Sequence, residues 1–289
     1  MTPITPDWLH RHPLPVHEGN GDKEARGRVL VVAGSLEVPR AALLAAVAAL
    51  RAGAGKLQIG TCRSVASALG LAVPESMVLM LAETEAGGID PAEAPRLAKA
   101  ANRTGALVLG PGMMDAEATE ALTAALLGLV ENVPIVLDAG ALDGIEKRPE
   151  LLHRHGGRVI LTPHTGEMAH MVGVSREEVE ADKASYAGDM ARRLRCIVVM
   201  KGACTEVAGS DGEVCRYNGG TIGLATSGSG DTLAGVIGGL LARGTTPYEA
   251  AAWGVHQHGT AGARLVRRHG GIGFLARELL DEIPWVMAH

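Results

Sequence analysis

The sequence predicts an α/β fold: a central, mostly parallel sheet with helices on both faces. Three observations predict it. Short β-branched runs that end in glycine or at a polar turn alternate with Ala- and Leu-rich segments along the chain, the pattern of strands buried on both faces and joined by helical crossovers. Apolar residues make up 47% of the 289 residues but aromatic residues only 2%, with one Phe, so a large core is packed from Ala, Val, Leu and Ile. Most polar clusters fall just after predicted strands, where ligands bind in sheets of this class.

The elements follow in order. Arg28 to Gly34 is a β-branched run closed by glycine, hence a buried strand. Pro39 opens an Ala/Leu helix that runs to Ala52 and stops at Gly53. Strands are expected at Lys56–Gly60, Ala106–Leu109, Pro134–Asp138, Arg158–Leu161 and Cys196–Met200, with helices over Ala116–Val130 and Arg176–Leu194. Two short strands follow, Thr205–Ala208 and Glu213–Arg216, around the turn Ser210-Asp211-Gly212, and then helices Thr232–Arg243, Pro247–Arg268 and Leu275–Ile283. No stretch reads as a linker or an internal repeat. Residues 1–289 are expected to form one domain, with 1–22 as an N-terminal extension packing on it.

Composition excludes several functions. Net charge is −5 and the basic residues are dispersed, which leaves no electrostatic footprint for nucleic acid. Met1 to His17 is Pro- and His-rich rather than apolar, unlike a signal peptide, and no apolar run reaches membrane-spanning length. Cys62, Cys196, Cys204 and Cys215 lack metal-site spacing, so reduced thiols and a cytoplasmic location are expected. His256 and His258 stand two apart on a helix and point to different faces, His153 and His155 are expected to be solvated, and no zinc site is predicted.

The most informative stretch is Gly219 to Gly235, a run of glycines and small hydroxyl residues leading into the apolar segment Leu233–Leu241. Such a loop leaves backbone N–H groups open at a helix N-terminus, where the unpaired donors and the macrodipole favour an anion such as phosphate. Asp231 at the helix entrance is either a base beside that cradle or a plain N-cap. A Gly-x-x-x-x-Gly-Lys-Ser/Thr loop, a Gly-x-Gly-x-x-Gly turn and a Gly-x-Ser-x-Gly elbow are all absent.

Other clusters lie at strand ends: Gly34-Ser35, Gly110-Pro111-Gly112, Asp138-Ala139-Gly140, Thr162-Pro163-His164 and Lys201-Gly202. Asp138 either caps the next element or orients a cation or hydroxyl. Glu167 either joins His164 in function or serves the first turn of the following helix. Lys201 is either a phosphate-reaching ammonium or a surface lysine.

In order, Ala33–Ser35, Leu50–Gly55, Leu109–Gly112, Leu137–Leu142, Leu161–Glu167, Lys201–Thr205 and Gly220–Gly235 resemble the ribokinase-like superfamily. More closely, the Thr-Pro-His-x-Gly-Glu and Lys-Gly-Ala-x-Thr strings resemble the adenine-nucleotide-dependent NAD(P)H-hydrate dehydratases, from about Lys23 to Leu280. That resemblance implies a ribokinase-like fold and a nicotinamide nucleotide repair reaction. The S epimer of NADH or NADPH hydrate is dehydrated back to NAD(P)H at the expense of ADP or ATP. It further implies that Ala41, Gly112, His164 and Asp231 contact the hydrate, with Asp231 catalytic, and that Lys201, Gly202, Ala203, Cys204, Thr205, Gly228, Ser229 and Gly230 hold the nucleotide. The same resemblance implies Mg²⁺ on the phosphates, with Glu167 as the candidate metal contact, and a homo-oligomer, a tetramer in several members of the family.

Four positions depart from the family pattern: Arg40 for Gly, Thr221 for Asn, Gly140 for a second Asp, and Thr165 for Pro. The epimerase domain of many members is expected to be absent. Two other readings compete: a ribokinase-like kinase for a vitamin-precursor alcohol, and a nucleotide sensor whose substrate side Arg40 has closed.

Overall fold

The computed structural model describes residues 1–16, 23–24 and 26–288. Its strands are β1 (Thr2–Pro3), β2 (Arg28–Val32), β3 (Lys56–Cys62), β4 (Ser76–Leu81), β5 (Ala106–Leu109), β6 (Ile135–Leu137), β7 (Val159–Leu161), β8 (Ile197–Met200), β9 (Thr205–Ala208) and β10 (Val214–Tyr217). The helices are α1 (Pro6–Arg11), α2 (Pro39–Arg51), α3 (Arg63–Ala72), α4 (Ala94–Ala101), α5 (Ala116–Leu129), α6 (Pro149–His153), α7 (Thr165–Val172), α8 (Arg176–Ala181), α9 (Lys183–Leu194), α10 (Ser229–Ala242), α11 (Pro247–His269) and α12 (Ala276–Ala288).

All ten strands join one sheet in the order β1-β10-β9-β8-β7-β6-β5-β2-β3-β4. Every pairing is parallel except the two made by β9. The chain runs outward from β2 through β3 to β4, returns to β5 on the other side of β2, and then proceeds the opposite way. That reversal opens a crevice at the carboxyl ends of β2 and β5, where Gly34 N–H donates to Pro111 O at 2.7 Å.

Alternation along the strands divides the core into two layers. Val29, Val31, Val108 and Val136 pack beneath α2, α10, α11 and α12, whereas Leu30, Val32, Leu109 and Leu137 pack beneath α4 to α9. The Ala-rich composition has a geometric consequence. Ala45 and Ala49 on α2 and Gly235 and Gly239 on α10 let the two helix backbones approach closely, so the N-termini of both helices sit side by side at the crevice.

The sequence reading differs from the structure at several points. The expected helix Arg176–Leu194 is two helices, because Asp182 leaves helical geometry at φ −146° and its side chain accepts from Ser185 N–H at 3.2 Å. α10 begins at Ser229, three residues earlier than expected, since Gly228 takes a left-handed φ of 93° and opens the helix inside the glycine run. The edge strand β4, helices α3, α4 and α6, and both N-terminal elements are absent from the sequence reading, which has α7 only as the helix whose first turn Glu167 serves. Within residues 1–16, β1 pairs with β10, Trp8 and Leu9 are buried, and Trp253 Nε1–H donates to His12 O at 2.7 Å. Residues 17–22 of the expected extension lie outside the described residues.

Two histidine expectations also fall out differently. His155 is buried rather than solvated, because its Nε2 lies 3.0 Å from Leu127 O at the carboxyl end of α5. His258 is buried too, for a reason that belongs to the site. The four cysteines are free, and no helix of the described residues is long and apolar enough to cross a membrane.

Candidate active site

The site is built from the ends of β6, β7 and β8 and the N-termini of α2, α7 and α10. Asp138 follows β6 and is buried, and its carboxylate caps nothing. Instead, Thr162 Oγ1–H at the end of β7 donates to Asp138 Oδ1 at 2.6 Å, and Lys201 at the end of β8 places Nζ 2.8 Å from the same oxygen. Lys201 is held in place by its own backbone, whose N–H donates to Pro163 O at 2.8 Å. Burial alone would lower the proton affinity of this ammonium. Asp138 and Glu167 reverse that, and the net shift is upward, so Lys201 stays charged.

His164 and Glu167 form a capping box on α7. Glu167 N–H donates to His164 Nδ1 at 3.0 Å and His164 N–H donates to Glu167 Oε2 at 2.7 Å. Glu167 therefore serves the first turn of α7, and its carboxylate also lies 3.7 Å from Lys201 Nζ. Among the described residues no group of three or more His, Cys, Asp or Glu is placed to hold a metal ion. The acidic groups present suit a divalent cation that arrives on nucleotide phosphates, since Mg²⁺ keeps several waters and needs only one or two carboxylates from protein.

Asp231 stands at the third position of α10. It is not the N-cap, which is Gly228. Burial, with a smaller contribution from the nearby Asp138 charge, pushes its pKa up to about 6, and Arg40 and Lys201 only partly counter this. A carboxylate poised near neutrality in a cleft is suited to accept a proton.

The cradle is narrower than expected. Ser229 N–H donates to Thr226 O at 3.2 Å, and Ser229 Oγ lies 2.9 Å from His258 Nε2 on α11. The Ser229 N–H and Oγ thus both have partners within the protein, and the serine is anchored to α11 at the start of α10. The next amides, Gly230 and Asp231, have no protein partner among the described residues and stay open at the helix N-terminus. A side chain at Gly230 would reach within 3.4 Å of Lys201 Nζ, so the lysine lies directly under these amides.

The remaining expected residues gather around this centre. Ala203 to Thr205 continue from Lys201 into β9. Gly220 packs so closely on that loop that a Cβ would overlap Ala203 O, which brings the two halves of the expected nucleotide site together. Lys183, which sequence reasoning missed, donates to Cys204 O at 3.2 Å and sits against Gly202. On the other flank, Gly112 has φ 67° and would carry any Cβ into the Ala41 side chain. Ala41 itself is fully buried. Arg40, beside it, donates from Nη2 to Ser227 Oγ at 3.1 Å and ties the start of α2 to the glycine loop.

Known proteins resemble this chain along most of its length. A family model described as NAD(P)H-hydrate dehydratase matches residues 29–285. An ADP-dependent (S)-NAD(P)H-hydrate dehydratase from Xanthomonas campestris is 47% identical over 284 residues, covering 98% of this chain and 95% of the relative. The chain belongs to the NAD(P)H-hydrate dehydratase family. Among solved structures of this dehydratase family, the Bacillus subtilis ADP/ATP-dependent enzyme co-crystallised with ATP/Mg²⁺ superposes with a TM-score of 0.85 at 33% identity, covering 99% of this chain and 98% of that one. A ribokinase-like superfamily protein from Enterococcus faecalis V583 superposes with a TM-score of 0.85 at 22% identity, covering 100% of this chain and 95% of that one. This chain thus has a ribokinase-like fold, as the resemblance implied.

Proposed function

We propose that this protein dehydrates the S epimer of NADH or NADPH hydrate to NAD(P)H, consuming ADP or ATP. The observation that carries the reading is the meeting of Asp231 with open α10 amides and the Lys201 ammonium, in a chain 47% identical to a named dehydratase.

The chemistry follows from those groups. The C6 hydroxyl of the hydrate is a poor leaving group. Asp231 takes its proton as the oxygen attacks the terminal phosphorus of the nucleotide, and the bond from that phosphorus to the rest of the nucleotide breaks. The Gly230 and Asp231 amides and Lys201 stabilise charge on the transferring phosphoryl group. The C6–O bond then breaks, phosphate leaves with the electron pair, and loss of a ring proton from C5 restores the double bond. Mg²⁺ bound on the nucleotide phosphates would neutralise their charge, with Glu167 and Asp138 as the acids facing it.

Ala41, Gly112 and His164 form the hydrate side of this site and Lys201 to Thr205 with Gly230 the nucleotide side. Incubation with enzymatically prepared hydrate and ADP, and in parallel ATP, tests the reading: absorbance of the dihydronicotinamide returns if it is right and stays flat if it is wrong. A vitamin-precursor kinase would share the first transfer but stop at the phosphoester, and the match to dehydratases over 98% of the chain weighs against it. A homo-oligomer, with four subunits by analogy to the family, belongs to the same reading and is tested by the mass of the protein in solution.

A further inference from the structure

Arg40 occupies the second position of α2, at the end of a helix where the macrodipole disfavours a cation. No acidic residue stands in the first turn of α2 to compensate. Among the described residues, Arg40 makes no ion pair within 4 Å, and its contact is with an uncharged hydroxyl, Ser227 Oγ at 3.1 Å. A guanidinium carries five N–H donors in a rigid fork, so one bond to Ser227 fixes its direction and leaves the others open. The side chain is exposed at the mouth of the crevice.

Its position relative to the other cation is informative. Lys201 approaches the N-terminus of α10 from the sheet and is already paired with Asp138 and Glu167. Arg40 approaches from α2, on the side of Ala41 and Gly112, and its charge is felt at Asp231. The two cations therefore act on the same carboxylate, one buried and paired, the other exposed and unpaired. An unpaired fork on the substrate side is arranged for a bidentate acceptor, and phosphate is the bidentate acceptor that a dinucleotide brings.

Resting on the dehydratase reading, we propose that Arg40 is a specificity-determining residue that grips a phosphate of the dinucleotide substrate, with Ser227 aiming its guanidinium across the mouth of the site. Two phosphate sources share this chemistry: the diphosphate common to both hydrates, and the extra ribose phosphate of NADPH hydrate.

The test compares wild type with Arg40→Ala, Arg40→Lys and Ser227→Ala, using both hydrates at saturating ADP and then ADP titrations at saturating hydrate. Arg40→Ala is expected to raise the KM for hydrate about ten- to a hundredfold, the scale of a charge-assisted hydrogen bond. The effect falls on KM rather than kcat, and the KM for ADP stays put. Arg40→Lys recovers part of the loss, and Ser227→Ala, which keeps the charge but releases the fork, raises the hydrate KM by a smaller factor than Arg40→Ala. Equal losses on both hydrates assign the grip to the diphosphate, and a loss confined to NADPH hydrate assigns it to the ribose phosphate. An unchanged hydrate KM, or a parallel rise for ADP as expected of a merely structural staple, overturns the assignment. Failure of wild type to turn over either hydrate is a separate outcome, which removes the dehydratase reading and this one with it.

Discussion

Lys201 Nζ lies 2.8 Å from Asp138 Oδ1, a pair that reaches across the end of β7 to join the ends of β6 and β8. Asp138 is only 2% exposed, and Thr162 Oγ1–H donates to the same oxygen at 2.6 Å. Removing one member of such a pair leaves a buried charge without its partner, which costs about 3–5 kcal/mol. Lys201→Met is therefore expected to lower the melting temperature markedly and to weaken adenine nucleotide binding. Adding Asp138→Leu to Lys201→Met removes the stranded charge and is expected to return much of the stability but none of the affinity. Thermal melts and calorimetric titration with ADP check both parts, and a double variant no more stable than Lys201→Met alone contradicts the argument.

The second prediction concerns Asp231, whose folded pKa is raised to about 6 mainly by burial. The folded state then holds its proton more tightly than the unfolded state, so the stability this residue contributes is full below about pH 4 and is lost as pH rises through about 6. Above that window the ionised carboxylate costs on the order of 3 kcal/mol. Asp231→Asn is accordingly expected to lose turnover by a factor of roughly 10²–10⁴ while melting a few degrees higher at pH 7.5. The wild-type kcat/KM should rise with pH through an apparent pKa near 6. A variant that is both inactive and less stable at pH 7.5 would show that the carboxylate is structural.

How much of this was legible in the sequence depends on which physical signal each residue leaves. β2, β5 to β8 and helices α2, α5, α10 and α11 were readable because buried parallel strands are unbroken apolar runs and long Ala/Leu helices repeat at helical spacing. The edge strand β4 was not: its Met77, Met80 and Ser76 are partly exposed, so it lacks the run that marks a buried strand. The polar strand ends were found because glycine and charge there interrupt apolar runs. Their pairing was not, since which carboxylate meets which ammonium depends on strand order, and order leaves no local trace. That Asp138 meets the Lys201 ammonium rather than capping a turn depends on β8 lying two strands away. His258 and Lys183 were missed for the same reason: each is an ordinary helical residue until tertiary packing sets it against Ser229 or the Cys204 carbonyl.

His258 illustrates a third prediction. Burial pushes its pKa down to about 4, so at working pH the ring is neutral and fixes Ser229, the first residue of α10. The unfolded ring accepts a proton near pH 6.5 and the folded ring does not until about 4. Stability from this residue is therefore full above 6.5 and lost as pH falls through that window. His258→Leu leaves Ser229 Oγ buried without a partner, at about 1–3 kcal/mol, and removes that acid sensitivity. Melting curves between pH 4 and pH 8 should show a smaller acid slope for the variant. ADP affinity should drop several-fold, because the helix start that presents the Gly230 amide is no longer anchored. An unchanged acid slope would place the titration elsewhere.

The last prediction tests the close packing that brings the two helix N-termini together. Gly235 lies in the middle of α10, where alanine would favour the helix by about 1 kcal/mol. A Cβ there would sit 2.8 Å from Ala45 Cα on α2 and overlap the Ala45 carbonyl oxygen. Backbone atoms cannot swing aside as a flexible side chain does, and overpacking of this kind costs about 1–3 kcal/mol or more. The clash outweighs the propensity gain, so Gly235→Ala is expected to destabilise the protein. It should also impair turnover, since prising α10 from α2 separates Ser227 from Arg40 and moves Asp231 away from Gly112 and Ala41. Gly244→Ala at the end of α10 is the informative contrast. It has φ 90° but open space around it, so its cost is backbone strain alone and leaves the site in place. Melts and hydrate turnover measured on both variants separate the two effects: both lose stability, and only Gly235→Ala loses activity.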